Sequence, residues 1–320
     1  MFDFVPRDPL DPHELNSIQA MISAAISAVR TRLPPPPDLF HYTDPGGLKG
    51  IIESGVLRAT HVAYVNDASE YLHAVQLLGA EMKRVKQTAA DPAHKELLEV
   101  IESAVAPTRP QDVGPYFVAC FSSEGNSLNQ WRAYGKGEGG YSIGFNLAAL
   151  DSAAMKLGIL LCPAIYDEAT QNGMVRDLLQ WALREYGSVA PKYTGADRSK
   201  HCESWAHHML WLAAGTAPAI KNSAFIEERE WRLIKLAVPV ALPGGDQVEF
   251  VPKPTGLVPY IELKVGSARP GKPDMLPISQ LWSGPGRATE ISLLSGRALL
   301  EKFGYVGVGL DASGIPFRVG

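Results

Sequence analysis

Cysteine is scarce in this chain of 320 residues: three thiols, Cys120, Cys162 and Cys202, with no C-x-x-C or C-x-x-H pair among them. That spacing excludes a disulfide framework and speaks against a zinc ribbon or a dithiol redox centre. Each thiol reads as a small buried hydrophobe in a reducing compartment. Long apolar runs are missing too. The uncharged stretch over residues 15–29 is amphipathic and falls short of the roughly 20 apolar residues that a bilayer span needs. Neither sign of charge dominates: 30 Lys+Arg stand against 34 Asp+Glu, a net charge of −4, so no global basic field exists to attract nucleic acid. Residues 1–9 carry Asp3, Arg7 and Asp8 and no apolar core, unlike a secretory signal. There is no G-x-x-x-x-G-K-[ST] phosphate loop, no H-E-x-x-H and no G-x-S-x-G. The expectation is a cytoplasmic protein with no membrane partner.

What is present is a globular composition, 46% apolar and 20% charged, enough to bury a core without staples. Asp11, Pro12 and Glu14 spell a helix start, and Leu15, Ile18, Ile22, Ala25, Ile26, Val29 and Leu33 then form one apolar stripe. Pro34 to Pro37 end that helix. Residues 1–37 are therefore expected as an appended amphipathic helix with a stiff polyproline linker, docking on the domain, on a partner or on a second copy.

Residues 38–320 read as a single α+β domain with a mostly antiparallel sheet. Strands are expected over 39–43, 56–60, 116–121, 141–146, 159–166, 230–236, 248–251, 258–265, 278–282 and 305–310. Helices are expected over 47–54, from Asp67 to before Asp91, and over 92–105, 126–135, 168–186, 197–212 and 290–303, with a helical insertion at about 168–216. The glycine-rich stretch 135–140 follows a helix and precedes a strand, the reverse of a dinucleotide-binding fingerprint, and reads as a turn. His207 and His208 are adjacent and face different ways, which is no metal site.

Four segments combine polar chemistry with strand placement. His41 lies on the apolar first strand in Phe40-His41-Tyr42-Thr43, where a satisfied core histidine is the plain alternative. Asp67 and Glu70, in Asn66-Asp67-Ala68-Ser69-Glu70, are spaced as a helix capping box. Ser122-Ser123 ends a buried strand, and Trp131 and Tyr134 sit three apart on the short helix that follows. In Glu227-Glu228-Arg229-Glu230-Trp231-Arg232, strand alternation places Glu228, Glu230 and Arg232 on one face and Arg229, Trp231 and Leu233 on the other. A solvent-facing charged ladder has the same pattern.

Taken in order, His41-Tyr42-Thr43 with the Leu48–Ile51–Gly55 helix, Asn66-Asp67-x-x-Glu70, Phe121-Ser122, Trp131, Tyr134, Gly144-Phe145, Glu228-x-Glu230-Trp231-Arg232 and the terminal Ser313-x-x-Pro316-Phe317-Arg318 resemble a bacterial family known as domain of unknown function 2971. The resemblance runs over residues 38–318. That family is similar in motif order to ADP-ribosyltransferases, with His41, Ser122 and Glu230 at the positions of the first-strand, middle-strand and late-strand residues of those enzymes. The resemblance implies an ADP-ribosyltransferase-like split antiparallel sheet that binds NAD as a substrate and breaks its nicotinamide–ribose bond without a metal. It implies Glu230 as the carboxylate facing the ribose, Glu228 as the residue that positions or deprotonates the acceptor, His41 at a ribose hydroxyl, and Ser122 as the residue that orients the carboxylate or a ribose. Tyr42 and Thr43 flank the NAD site on the first strand, and Trp131 or Tyr134 would stack on the nicotinamide. It also implies a role as a bacterial toxin or phage-defence effector, acting on an acceptor that the sequence leaves open among protein, nucleic acid and small molecule. Two alternatives stand beside it: a metal-dependent nuclease or hydrolase built from His41, Asp67, Glu70, Glu228 and Glu230, and a non-catalytic binding module.

Overall fold

The computed structural model describes residues 34–65, 69–105, 115–135, 139–237, 245–254 and 256–316, with the single positions 24 and 30. The stripe expected over residues 15–33, Asp67 at the start of its helix, and Phe317-Arg318 lie outside these residues or only touch them. In chain order the elements are β1 (Asp38–Thr43), α1 (Pro45–Ser54), β2 (Leu57–His61), α2 (Ser69–Thr88), α3 (Pro92–Val105), β3 (Tyr116–Ser122), α4 (Leu128–Tyr134) and β4 (Tyr141–Asn146). Next come α5 (Leu147–Lys156), β5 (Leu160–Pro163), α6 (Glu168–Val189), α7 (Gly195–Thr216), β6 (Glu230–Leu236), β7 (Glu249–Lys253) and β8 (Gly256–Leu263). The hairpin β9 (Ser267–Arg269) and β10 (Lys272–Met275), then β11 (Ile278–Ser283), α8 (Thr289–Lys302) and β12 (Gly309–Ala312), complete the series.

These elements form two compact units, each assembled from separated stretches of sequence. The sheet unit draws on Leu33–Thr60, Phe117–Pro163 and Ala224–Gly320. Its strands run in the order β12-β11-β4-β1-β3-β2-β8-β7, and β6 branches from β3 and carries β5. The result is an α+β architecture with a mostly antiparallel open sheet flanked by helices. In this sheet β11 pairs with β12 in parallel, whereas β1–β3, β1–β4, β4–β11, β2–β8, β5–β6 and β7–β8 are antiparallel.

Local chemistry sets the first turn. The Asp44 carboxylate accepts the Gly47 N–H at 2.7 Å, Pro45 opens α1, and Gly55 closes it in the left-handed conformation at φ 68, a cap that glycine adopts without a Cβ penalty. Side-chain alternation then gives the sheet two unlike faces. Leu39, Phe121, Ile143, Phe145, Leu233 and Leu281 join one core with Leu48 and Ile52 of α1, Leu150 of α5 and Leu300 of α8. On the opposite face Phe40, Tyr42 and Trp131 form a second, smaller cluster against Trp282 and Ile315.

The helical unit draws on His61–Tyr116 and Ala164–Ser223 and packs α2, α3, α6 and α7 together. Leu97, Leu98 and Ile101 of α3, Leu179 and Tyr186 of α6, and Trp205 of α7 are its buried side chains. Gln171 ties its start to its end, donating to the carbonyls of Ile165 and Lys221 at 2.6 and 2.8 Å. Cys162 and Cys202 are buried thiols and Cys120 is half-buried, and none of the three is in a disulfide.

Five elements differ from expectation. Helix α5 and the β9–β10 hairpin were not legible in the sequence. The strand expected over 305–310 forms instead at Gly309–Ala312, because Gly304 and Gly307 take φ 83 and 73 and break the extended run. The strand expected over 159–166 stops at Pro163, where the chain leaves the sheet unit.

Candidate functional site

The antiparallel partners β1 and β3 meet in register at one pair, Phe40 with Ser122, whereas the neighbouring β1–β4 pair holds register from Asp38–Asn146 through Thr43–Tyr141. Strands β1 and β3 thus part beside His41 and beside the loop 122–127. The His41 ring spans that parting. Its Nδ1 donates to the Cys120 carbonyl at 2.9 Å, and the ring lies edge-on to Phe121 at 5.8 Å. A proton committed to Nδ1 leaves Nε2 as a hydrogen-bond acceptor. Burial holds the His41 pKa below its usual 6.5, against the smaller opposing effect of the Cys120 hydrogen bond, so the imidazole is neutral at pH 7.

A stability consequence follows. The unfolded chain takes up a proton at this histidine below pH 6.5 while the folded chain resists it, so stability is complete above that value and declines as pH falls through the window beneath it. Wild type is expected to lose melting temperature between pH 7 and 5 more steeply than His41→Asn, whose amide keeps a donor for the Cys120 carbonyl. Parallel pH curves for the two proteins would refute this.

Tyr42 is buried and its hydroxyl is used twice: it donates to the Glu124 carbonyl at 2.6 Å and accepts the Ser127 N–H at 2.9 Å. Burial pushes its pKa up to about 12. Ser122, 1% exposed, donates to the Glu228 carbonyl at 2.8 Å and accepts the Glu124 N–H at 3.1 Å. It therefore holds the backbone of two segments rather than a carboxylate. Gly125 lies close over Phe40, where an added Cβ would come within 2.6 Å of the ring. Loop 122–127 is fixed at several points, each of them in the sheet unit.

The charged segment does not follow simple strand alternation. Arg229 takes φ 44, the one positive φ at a non-glycine position among the described residues, a conformation that costs an arginine about 1 kcal/mol or more. Regular alternation begins only at Glu230. Trp231 and Leu233 enter the main core, and Glu230 and Arg232 point to the opposite face as a buried two-bond ion pair, Arg232 Nε to Glu230 Oε1 at 3.0 Å and Nη2 to Oε2 at 2.9 Å. The expected shared face of Glu228, Glu230 and Arg232 is thus corrected, since Glu228 lies before the left-handed turn. Its side chain is half-buried. Arg229 itself is exposed and pairs with Glu124, and its carbonyl accepts the Ser123 N–H at 3.0 Å.

The remaining expected residues separate. Thr43 is half-buried against Gly47, where a Cβ would collide with its hydroxyl at 1.8 Å. Trp131 is 2% exposed; it packs edge-on to Tyr42 at 4.7 Å and donates from Nε1 to Asn126 at 2.9 Å, so it belongs to the second core cluster. Tyr134 is exposed. Asp67 and the side chain of Glu70 lie outside the described residues, and no group of three His, Cys, Asp or Glu among the described residues is placed to hold a metal ion. The structure brings together Tyr42, Ser122 and the Glu228–Glu230 turn through Glu124, while His41 bonds to Cys120 and lies against Phe121 of the main core.

That turn and Trp131 bracket the stretch that relates this chain to others. Residues 130–233 match the family described as protein of unknown function, DUF2971. The DUF2971 segment runs from α4 to β6 and contains Trp131, Tyr134, Gly144-Phe145 and Glu228-x-Glu230-Trp231-Arg232, while His41 and Ser122 precede it. No curated protein and no solved structure matches the chain.

Sequence reasoning missed Glu124 and Asn126. Asn126 accepts from both Trp131 Nε1 and the Ser313 hydroxyl, the latter at 2.7 Å, and its only signal was a plausible helix cap. A separate cleft of about 620 Å³, within the size range of small-ligand sites, is lined by Lys235, Asp246, Glu249, Tyr260 and Lys264 and contains none of the expected residues.

Proposed function

We propose that the sheet unit binds NAD where β1 and β3 part and cleaves its nicotinamide–ribose bond, as a glycohydrolase or an ADP-ribosyltransferase. The observation that supports this reading is the single register pair Phe40–Ser122, with His41 next to it on one strand and, fastened to Ser122 on the other, the turn that carries Glu228. The resemblance in motif order to ADP-ribosyltransferases points the same way.

In the proposed reaction the C1′–N bond breaks and its electron pair leaves with neutral nicotinamide. The ribose gains oxocarbenium character, and a fixed carboxylate stabilises that charge. A new C1′–O bond to water, or a bond to an acceptor nucleophile, then forms, and the proton lost by the nucleophile passes to a carboxylate and on to solvent. His41 Nε2 accepts a ribose hydroxyl. We assign the carboxylate that meets the ribose to Glu228, on the half-buried residue before the Arg229 turn, and give Glu230, bound by Arg232 across two hydrogen bonds, the task of holding the strand.

Nicotinamide release by the full chain, with EDTA present, tests the reading. Glu228→Gln is expected to lose turnover about a hundredfold while melting as wild type does; Glu230→Gln is expected to lose stability as well. Release retained by Glu228→Gln and lost by a stably folded Glu230→Gln would reverse the assignment. A wild type that neither releases nicotinamide nor shows a melting shift with NAD would end the NAD reading.

A further inference from the structure

The backbone of Arg229 has a task that its side chain conceals. A left-handed φ at a non-glycine residue persists only where the surroundings over-determine it, and here they do. The residue before it gives its carbonyl to Ser122 at 2.8 Å, and its own carbonyl takes the Ser123 N–H at 3.0 Å. Its own N–H donates to the Ile226 carbonyl at 3.1 Å, and its guanidinium pairs with Glu124. Glu124 is held in turn by the Ser122 hydroxyl at its N–H and by the Tyr42 hydroxyl at its carbonyl. Two consecutive carbonyls of the turn are thus fastened to two consecutive residues at the end of β3. The left-handed φ of Arg229 breaks the strand alternation between Glu228 and Glu230, and Glu230 is buried against Arg232.

We propose that Arg229 is a positioning residue: its left-handed backbone, held by the hydrogen bonds from Ser122 and Ser123, fixes where the Glu228 carboxylate stands. The functional meaning of that position rests on the NAD reading given above; the positioning itself does not.

Two substitutions separate backbone from side chain. Arg229→Gly removes the guanidinium and adopts the turn without strain, whereas Arg229→Val removes it and strongly resists a positive φ. Amide hydrogen exchange at Ser123 and Glu124, followed in the full-length protein, is expected to stay within about twofold of wild type for Gly. For Val it should accelerate about tenfold, the scale of one lost hydrogen bond, with the Leu281 amide of the core unchanged in both. Nicotinamide release should show kcat falling for Val and kept for Gly, with KM unaltered. Equal exchange in Gly and Val, fast or slow, would overturn the proposal, as would equal loss of kcat. Should wild type release no nicotinamide, the exchange pair still decides the positioning role, and the NAD reading fails by itself.

Discussion

Truncating Arg232 to alanine is expected to lower the unfolding free energy by about 3–5 kcal/mol, the largest effect of any charged substitution in the sheet unit. Both members of its pair are almost wholly enclosed, at 3% and 6% side-chain exposure. Removing the guanidinium leaves the Glu230 carboxylate in the same enclosure without the two hydrogen bonds that compensated its lost hydration. The pair need not be stabilising in itself, since exchanging both partners for apolar residues of similar volume is often neutral or favourable. The double variant Glu230→Leu/Arg232→Met should therefore recover most of what Arg232→Ala loses. Urea unfolding of the three proteins at a common m-value checks this. A loss below about 1 kcal/mol in Arg232→Ala would mean that the carboxylate finds water, contrary to its burial.

Trp131→Ala should come next, at about 3–5 kcal/mol. The indole fills the centre of the second cluster between Tyr42, Trp282 and Ile315, and Gly284 approaches it so closely that a Cβ there would lie 2.9 Å from the ring. Trp131→Phe retains much of the packing but gives up the Nε1 bond to Asn126, a loss of about 1 kcal/mol. Circular dichroism melts of both variants measure the difference. An alanine variant as stable as wild type would return Trp131 to the role of an open stacking wall.

The fate of Trp131 shows where sequence reasoning stops. Periodicity and punctuation located β1, α1, α3, β4 and β6, because each of those signals lies within the segment itself: Gly55 at the end of α1, or the apolar alternation of β4. Burial of Trp131 depends instead on Trp282 and Ile315, distant in sequence and near in space. Spacing on α4 placed Trp131 and Tyr134 on one face, yet the first is buried and the second exposed. The same limit applied to the Glu-x-Glu motif, whose shared face required regular alternation and was broken by one left-handed residue. Ser122 was found as a polar residue at a strand end; that it fastens the Glu228 carbonyl follows from a pairing no local pattern encodes. Helix α5 escaped because Asn146 both ends β4 and caps the helix, accepting the Ala149 N–H at 3.0 Å, with no intervening turn residue to mark the change.

The order of strands also governs when this protein can acquire its structure during synthesis. Strand β4 is central: β1, made early, pairs on one side of it, and β11, over residues 278–283, pairs on the other. The second stretch of the helical unit, Ala164–Ser223, is translated between β3 and β6, so the bonds from Ser122 and Ser123 to the Glu228–Arg229 turn cannot form until that stretch has left the ribosome. Contacts so far apart in sequence make closure slow, and a nascent chain halted before residue 278 would present one edge of β4 unpaired. Such an edge is a template for mispairing, and polypeptides ending between β6 and β11 should be the aggregation-prone ones.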